Sequence, residues 1–488
     1  MKIIKIIKMK KLTLSFILAI NFIALHAQEK WSLEKCVDHA LSHNIQIKQR
    51  SLTIESTRTD VLQSKLSMLP DLNGFANHGY NFGQTVDRYT NQFATERVQT
   101  NNFNLSSSIT LFGGFQKVNQ LKQNMLNLNA DQYDLDKFMD DISLTIATSY
   151  LQILFYQEIL KNAENQLDIT KQQVGRMQKM VDAGAAAQGD FYNLDAQRAA
   201  EELSLVDARN NLDMAYLTLT QLLDLPSSDN FEIEVPQLNV LGKPALVGNA
   251  DEIFLYATQN QPDIKSAELR LQSSDLNISR ARGAMMPSLS LNGSWGTGYS
   301  GASQIVGSSI PTPFADLPLI GVTKDENGNR VYDVYAYSSN TTYKRKPWND
   351  QITDNNNKSI SLNLSIPIFN GWQGRTSVSK ARISVKNAEY TLESNKLNLR
   401  KTIQQAYADA SAALKKYNSA TTKVDASKES FKYSESKFNV GMLNSVDYNN
   451  AKKELEKAES ELLQAKFEYI FKATVLDFYM GKPLTLKQ

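Results

Sequence analysis

Beyond residue 27 the sequence has no apolar run long enough to cross a bilayer as a helix, which takes about 18 or more such residues. If the mature chain spans a membrane, it must do so as a β-barrel, the other structure that satisfies every backbone group there. Cysteine is nearly absent: Cys36 stands alone among 488 residues. It has no partner for an internal disulfide and does not directly follow the leader, where a lipid-acceptor cysteine stands, so it is expected as a small buried hydrophobe. Charge of one sign is lacking too. Residues 1–27 hold five lysines and no acid, leaving 48 basic against 51 acidic residues in the rest, a balance that excludes the basic footprint of a nucleic-acid partner. Phosphate loop, nucleophile elbow and Cys/His cluster are all missing, so neither an enzyme nor a cofactor is expected.

The leader reads as a secretory signal, with lysines at 2, 5, 8, 10 and 11, an apolar run from Leu12 to Leu25 and a small residue, Ala27, before Gln28. From about Gln116 to about Met180 proline is absent, and Gly175 is the one glycine. Val118, Leu121, Met125, Leu128, Leu135, Met139, Ile142, Ile146, Ile153 and Leu160 recur there in a seven-residue rhythm. Such a helix is roughly 100 Å long at 1.5 Å per residue. No globular core needs that length; it spans something wide.

The chain then repeats itself. Asn44-Ile45-Gln46-Ile47-Lys48 answers to Gln261-Pro262-Asp263-Ile264-Lys265, and Pro70 to Pro287. Leu111-Phe112-Gly113-Gly114-Phe115 answers to Ile368-Phe369-Asn370-Gly371-Trp372, Gly184 to Gly441, Asp190 to Asp447 and Pro226 to Pro483. A tandem duplication with one insertion accounts for both registers. The boundaries are a signal at 1–27, a first repeat at 28–226, a linker at 227–249 and a second repeat at 250–488. In each copy a helix of about 25 residues runs to the proline, two alternating strands follow, then the long helix, a tip and a returning helix of about 35 residues. The second long helix covers about Gln373 to Phe438, with a seam of small residues such as Ala381, Ala388, Ala406, Ala413 and Ala420. The returning and strand-feeding helices together match the long one in length. Each copy is thus expected to form one continuous and one spliced stave, with the splice in a belt at the linker and termini.

Alternation marks the strands. Leu72, Gly74, Ala76, His78, Tyr80 and Phe82 share one face, spoiled by Phe75; Phe103, Leu105, Ser107, Ile109 and Leu111 alternate with small polar residues. Leu289, Leu291, Gly293, Trp295, Thr297 and Tyr299, then Ile360, Leu362, Leu364, Ile366 and Ile368, do the same. Four such segments of about ten residues have the pattern of transmembrane barrel strands, and aromatic residues at their ends suit interfacial girdles. The insertion at about 300–358, with Pro311, Pro313, Pro318 and an Asn327-Gly328 turn, is expected as an extracellular loop holding a small hairpin. His39 and His43 have a zinc-compatible spacing, but the metalloprotease glutamate is missing and their repeat equivalents are Tyr256 and Asn260. No metal is expected.

Taken in order, the duplication, the proline joints, the Leu-Phe-Gly-Gly and Pro-Ile-Phe-Asn-Gly joints and the tip patterns Ala183-Gly184-Ala185 and Val440-Gly441-Met442 resemble the TolC-like outer-membrane efflux protein family over essentially the whole mature chain. The resemblance implies a mainly α fold with a transmembrane β-barrel: a long antiparallel α-helical barrel continuous with a twelve-stranded barrel shared by a homotrimer. It also implies a passive duct from periplasm through outer-membrane lipid, fed by an inner-membrane pump through a periplasmic adaptor. The residues independently require association, because four strands cannot close a membrane barrel. Ala183, Gly184, Ala185, Val440, Gly441 and Met442 are the adaptor-docking candidates. Asp447, Asn450 and Asp190 are the candidates for the lumen of a periplasmic gate, Asp447 first among them; Asn450 stands where some of the family carry a second acid, and Asp190, directly after Gly189, reads more readily as a helix cap. Two alternatives stay open: a secreted coiled-coil scaffold or adhesin, and the outer-membrane duct of a type I protein secretion system.

Overall fold

The computed structural model describes residues 30–94, 97–229, 231–236 and 249–482. The signal segment and much of the linker therefore lie outside the described residues. In chain order the elements are α1 (Leu33–His43), α2 (Ile45–Leu66), β1 (Asn73–Asn81), β2 (Thr85–Val86), β3 (Phe93–Ala94), β4 (Val98–Gly113), α3 (Gln116–Asp182) and α4 (Gln188–Leu222). There follow α5 (Ala250–Asn260), α6 (Pro262–Gly283), β5 (Ser288–Ser300), β6 (Gln304–Pro311), β7 (Leu319–Lys324), β8 (Arg330–Tyr335), β9 (Ser339–Arg345), α7 (Trp348–Asp354), β10 (Asn357–Ser365), α8 (Gln373–Asn439) and α9 (Ser445–Tyr479). The described residues fall into two units, one within 1–59, 125–274 and 383–488 and the other within 60–124 and 275–382.

The first unit is helical. It holds most of the long helices α3 and α8, each of 67 residues and each beginning in the second unit, and the returning helices α4 and α9, each of 35, close to the expected lengths. The helix before the strands is not single: in both copies an 11-residue piece precedes a 22-residue one. The breaks have local causes. The Asn44 side chain accepts from the N–H groups of Gln46 at 2.9 Å and Ile47 at 3.2 Å, capping α2. Gln261 precedes Pro262, which forces it into extended backbone while starting α6 as its first residue. The main core gathers Leu33, Cys36 and Ala40 of α1, Ile146, Tyr150, Ile153 and Leu154 of α3, Leu219 and Leu223 from α4 and its end, and Ile233 of the linker. Trp31 and Ile233 form a parallel bridge. The buried Tyr150 hydroxyl donates across it, 2.5 Å from the Glu234 carbonyl and 3.0 Å from that of Trp31. Burial pushes the Cys36 thiol up to about 12, the inert state expected of a core cysteine. His39 and His43 stack on each other with ring centroids 4.2 Å apart.

The heptad seam is only partly covered. Ile146 and Ile153 are buried, whereas Val118 and Met125 near the start of α3 are exposed. Along α8, Ala381, Val385, Leu399, Ala413, Ala420 and Val424 are buried, as the small-residue seam requires.

The second unit carries a four-stranded antiparallel sheet in the order β1-β4-β5-β10. Its register sets the four alternations in phase. Leu105 lies opposite Trp295, Leu291 opposite both Ile109 and Leu362, and Leu364 opposite Leu289. On the other face Asn102 pairs with Asn77 and Gly298, and Asn292 with Ser108 and Ser361. One face is thus apolar and the other small and polar; Phe75, opposite Asn104, is the exception on the polar side. β4 begins at Val98, well before its alternation, because Gln99 and Val98 still pair with Tyr80 and Asn81. The insertion holds more than the expected hairpin. β7 and β8 close around Gly328, at φ +83°, and β6 pairs with β9 beneath them. Then α7 covers the edge of β5 that β10 does not reach: the Gln351 side chain accepts from the Ser300 N–H at 2.9 Å and donates to its carbonyl at 3.0 Å.

At both strand-to-helix joints a glycine and an aromatic residue adopt positive φ in succession, Gly114 (61°) and Phe115 (60°) in one copy, Gly371 (62°) and Trp372 (70°) in the other. A side chain there costs about 1–2 kcal/mol. Gly114 has no alternative, since a methyl group on it would collide with the Gly283 carbonyl at the end of α6. We therefore expect Gly114→Ala to lower the thermal unfolding midpoint more than Gly83→Ala, a site of positive φ with open space around it. Equal losses in detergent would show that the Gly114–Gly283 contact contributes nothing.

Candidate functional site: the two hairpin tips

Two five-residue tips close the helical hairpins, 183–187 between α3 and α4 and 440–444 between α8 and α9. Each is built on a glycine with positive φ, 71° at Gly184 and 75° at Gly441. The N–H of Gly184 donates to the Val181 carbonyl at 2.9 Å and that of Ala185 to the Met180 carbonyl at 2.8 Å. In the second tip Gly441 donates to Phe438 at 3.0 Å and Met442 to Lys437 at 2.9 Å. This paired arrangement satisfies helix-end carbonyls and requires the left-handed residue that glycine supplies. Val440 and Met442 are exposed, as are Ala183 and Ala185, so apolar side chains stand at both tips.

The two aspartates occupy the same place in their helices. The second returning helix is capped by Asn444, whose side chain accepts from the Asp447 N–H at 2.8 Å and donates to the Asp447 carboxylate at 2.9 Å. Asp447 is thus the third residue of α9, exposed, where a negative charge favours the helix dipole. Asn450 is exposed one turn further along, while Tyr448 and Asn449 between them are buried. The first returning helix starts earlier than Asp190. Ala187 is its cap residue and makes no side-chain cap bond, so Asp190 is its third residue and not its cap. Gln188 and Gly189 are already helical, so the glycine does not mark the helix start as its position had suggested.

Below the tips, side chains join the hairpins. Arg176 donates to Asn439 at 2.9 Å and Gln173 to the Tyr448 hydroxyl. Tyr448 is buried, stacked on Phe438 with centroids 4.5 Å apart. Deeper, Lys452 is 2% exposed; its ammonium donates to Thr170 of α3 and forms ion pairs with Glu201 of α4 at 3.1 Å and Glu456 at 3.5 Å. Gln197 donates to the same Glu201 oxygen at 2.8 Å. Sequence reasoning missed this network, although a lysine four residues after Tyr448 on the buried stripe of α9 is a visible signal. Burial raises the Glu456 pKa; Lys452 offsets part of that rise and Glu201 adds to it.

One cation against two carboxylates leaves an unbalanced buried charge. Lys452→Met should cost about 3–5 kcal/mol, the usual penalty for stranding a buried partner. Glu456→Gln should act oppositely. Because the folded state holds this proton more tightly than the unfolded state, its ionisation costs stability as pH rises through the raised pKa. The variant should therefore unfold at a higher temperature than wild type at neutral pH, with the gap closing as pH falls towards the ordinary glutamate range. A gap that widens on acidification contradicts this.

Comparison with known proteins adds the following. The model of the family described as "Outer membrane efflux protein" matches residues 36–224 and 256–482. The outer membrane protein TolC of Escherichia coli (strain K12) is 22% identical over 446 residues, 90% of this chain and 80% of that protein. The outer-membrane channel OprN superimposes with a TM-score of 0.70 at 19% identity, covering 93% of this chain and 90% of that one. VceC from Vibrio cholerae, also an outer membrane protein, gives 0.71 at 14% identity, covering 93% and 96%.

Proposed function

The chain belongs to the outer membrane efflux protein family, and from that membership we propose that it is the exit duct of a tripartite efflux system, a trimer that receives cargo from an inner-membrane pump through a periplasmic adaptor. One observation carries the reading. The sheet is two-faced in register, and its apolar side is bare in the single chain: Ile360 is 83% exposed and Leu362 and Leu364 each 62%. A secreted scaffold has no use for such a face, whereas lipid covers it without cost. The free edges of β1 and β10 pair between copies. Ile383, Tyr390 and Leu397, spaced by seven along α8 and all exposed, supply an apolar stripe for the neighbouring copy. In this arrangement the polar sheet face lines the pore, the insertion at 300–358 faces outside, and the tips meet the adaptor.

Purified protein in planar bilayers is expected to form discrete channels, and recovery in the soluble periplasm without detergent would contradict the assignment. Asp447, brought close to its symmetry mates at the narrow end, attracts cations there. Asp447→Asn should then lower cation selectivity; unchanged selectivity with a stability loss of about 1 kcal/mol would reduce Asp447 to a helix-end charge. For the docking surface, a photo-crosslinking residue at Ala185 or Met442 should trap a periplasmic protein that co-purifies with an inner-membrane pump. Crosslinks only to other copies of the chain would contradict tip docking.

A further inference from the structure

The loop between β1 and β4 does not simply turn around. Its segment Asp87–Thr90 is folded back over the polar face of the sheet, at the strand ends remote from the helix joints. Asp87, 4% exposed, anchors it. One carboxylate oxygen accepts from the Tyr89 N–H at 3.1 Å, the Thr90 N–H at 2.8 Å and the Thr90 hydroxyl at 3.0 Å. The other accepts from the Ser300 hydroxyl. Ser300 is fully buried and is itself held by Gln351 through both backbone groups. The turn is thereby tied to α7 as well as to β5.

Two observations fix the ring on the polar side. The Tyr89 hydroxyl donates to the Asn102 side-chain oxygen at 2.6 Å, and Asn102 belongs to the polar face. The same hydroxyl occupies the space that a Cβ at Gly298 would fill, on the strand position directly opposite Asn102. The Asn101 carbonyl also crowds that space, so the neighbouring strand itself requires the glycine, and the phenol packs into the room it leaves. A loop that merely covered the sheet edge would not need a buried carboxylate carrying four hydrogen bonds, nor a phenol hydroxyl bonded to the polar face.

We propose that the Asp87–Thr90 turn is a built-in constriction of the pore, with Tyr89 the residue that sets the width of the outer mouth. The inference rests on the channel reading above, in which the polar face lines the pore and each copy contributes one such turn. Pore width and the groups lining it set which solutes pass, so three anchored phenol rings narrow the path for large cargo and limit the return of bulky molecules from outside.

Single-channel recording of the purified trimer tests this. Tyr89→Ala removes the ring, and Asp87→Ala releases the turn that carries it; both should raise single-channel conductance above the wild-type value and sensitise cells to a bulky glycopeptide antibiotic. Tyr89→Phe keeps the ring but loses the Asn102 bond, and should keep the mean conductance with more flicker. If assembled trimers of both alanine variants conduct like wild type, the constriction is refuted while the channel reading stands. Wild-type protein that forms no channel at all refutes both.

Discussion

A sheet edge inside hydrocarbon has no water to bond, and each unsatisfied peptide group there costs several kcal/mol. The β1-β4-β5-β10 sheet has two such edges and one bare apolar face. Everything else follows from closing it. Four strands are too few to close alone, so the chain must associate, and the rest of the sequence is arranged to make association specific. The small residues along the α8 seam allow close helix packing, and the exposed stripes await neighbours. Nothing in the family's activity requires covalent chemistry; the work of the chain is to enclose a path.

Closure also explains the polar groups. The polar face of the sheet carries asparagine and serine rather than charges along its strands, as in the Asn292 row with Ser108 and Ser361. Short polar side chains hold water without filling the space beside the sheet. Away from the sheet and its loops, the buried charge among the described residues lies under the tips, with Lys452 joining α3, α4 and α9. A buried ion pair is a poor source of stability but an exacting one in geometry, and it fixes how two hairpins lie against each other just below the turns at Gly184 and Gly441.

Much of this was legible in the sequence, for identifiable reasons. Long helices are announced by heptads free of proline, and both ran their expected course within two residues. The strands were announced by alternation, which pairing then placed in phase. What escaped was set by single side chains acting locally or across the fold. Asn44 ends one helix and caps the next through its own side chain, which composition does not show. Asp190 lost its expected capping role because the helix starts two residues before it, at Gln188. The Lys452 network and the seat of Tyr89 on Gly298 join residues far apart in the chain, and no periodicity encodes such a pair. Asp447 and Asn450 were placed on one exposed face by their spacing alone, since three residues is nearly one helical turn.

The central claim is that β1 of one copy pairs with β10 of the next. Disulfide trapping in the outer membrane tests it, with a cysteine at Ala76 on β1 combined in turn with one at Ile360, Leu362 or Leu364 on β10. All four residues lie on the apolar face, and Cys36 is buried and unreactive in the helical unit. The account predicts that one of the three combinations gives a covalent ladder ending at the trimer, dissolved by reductant. Monomer alone in every combination, with channels still forming, would contradict it.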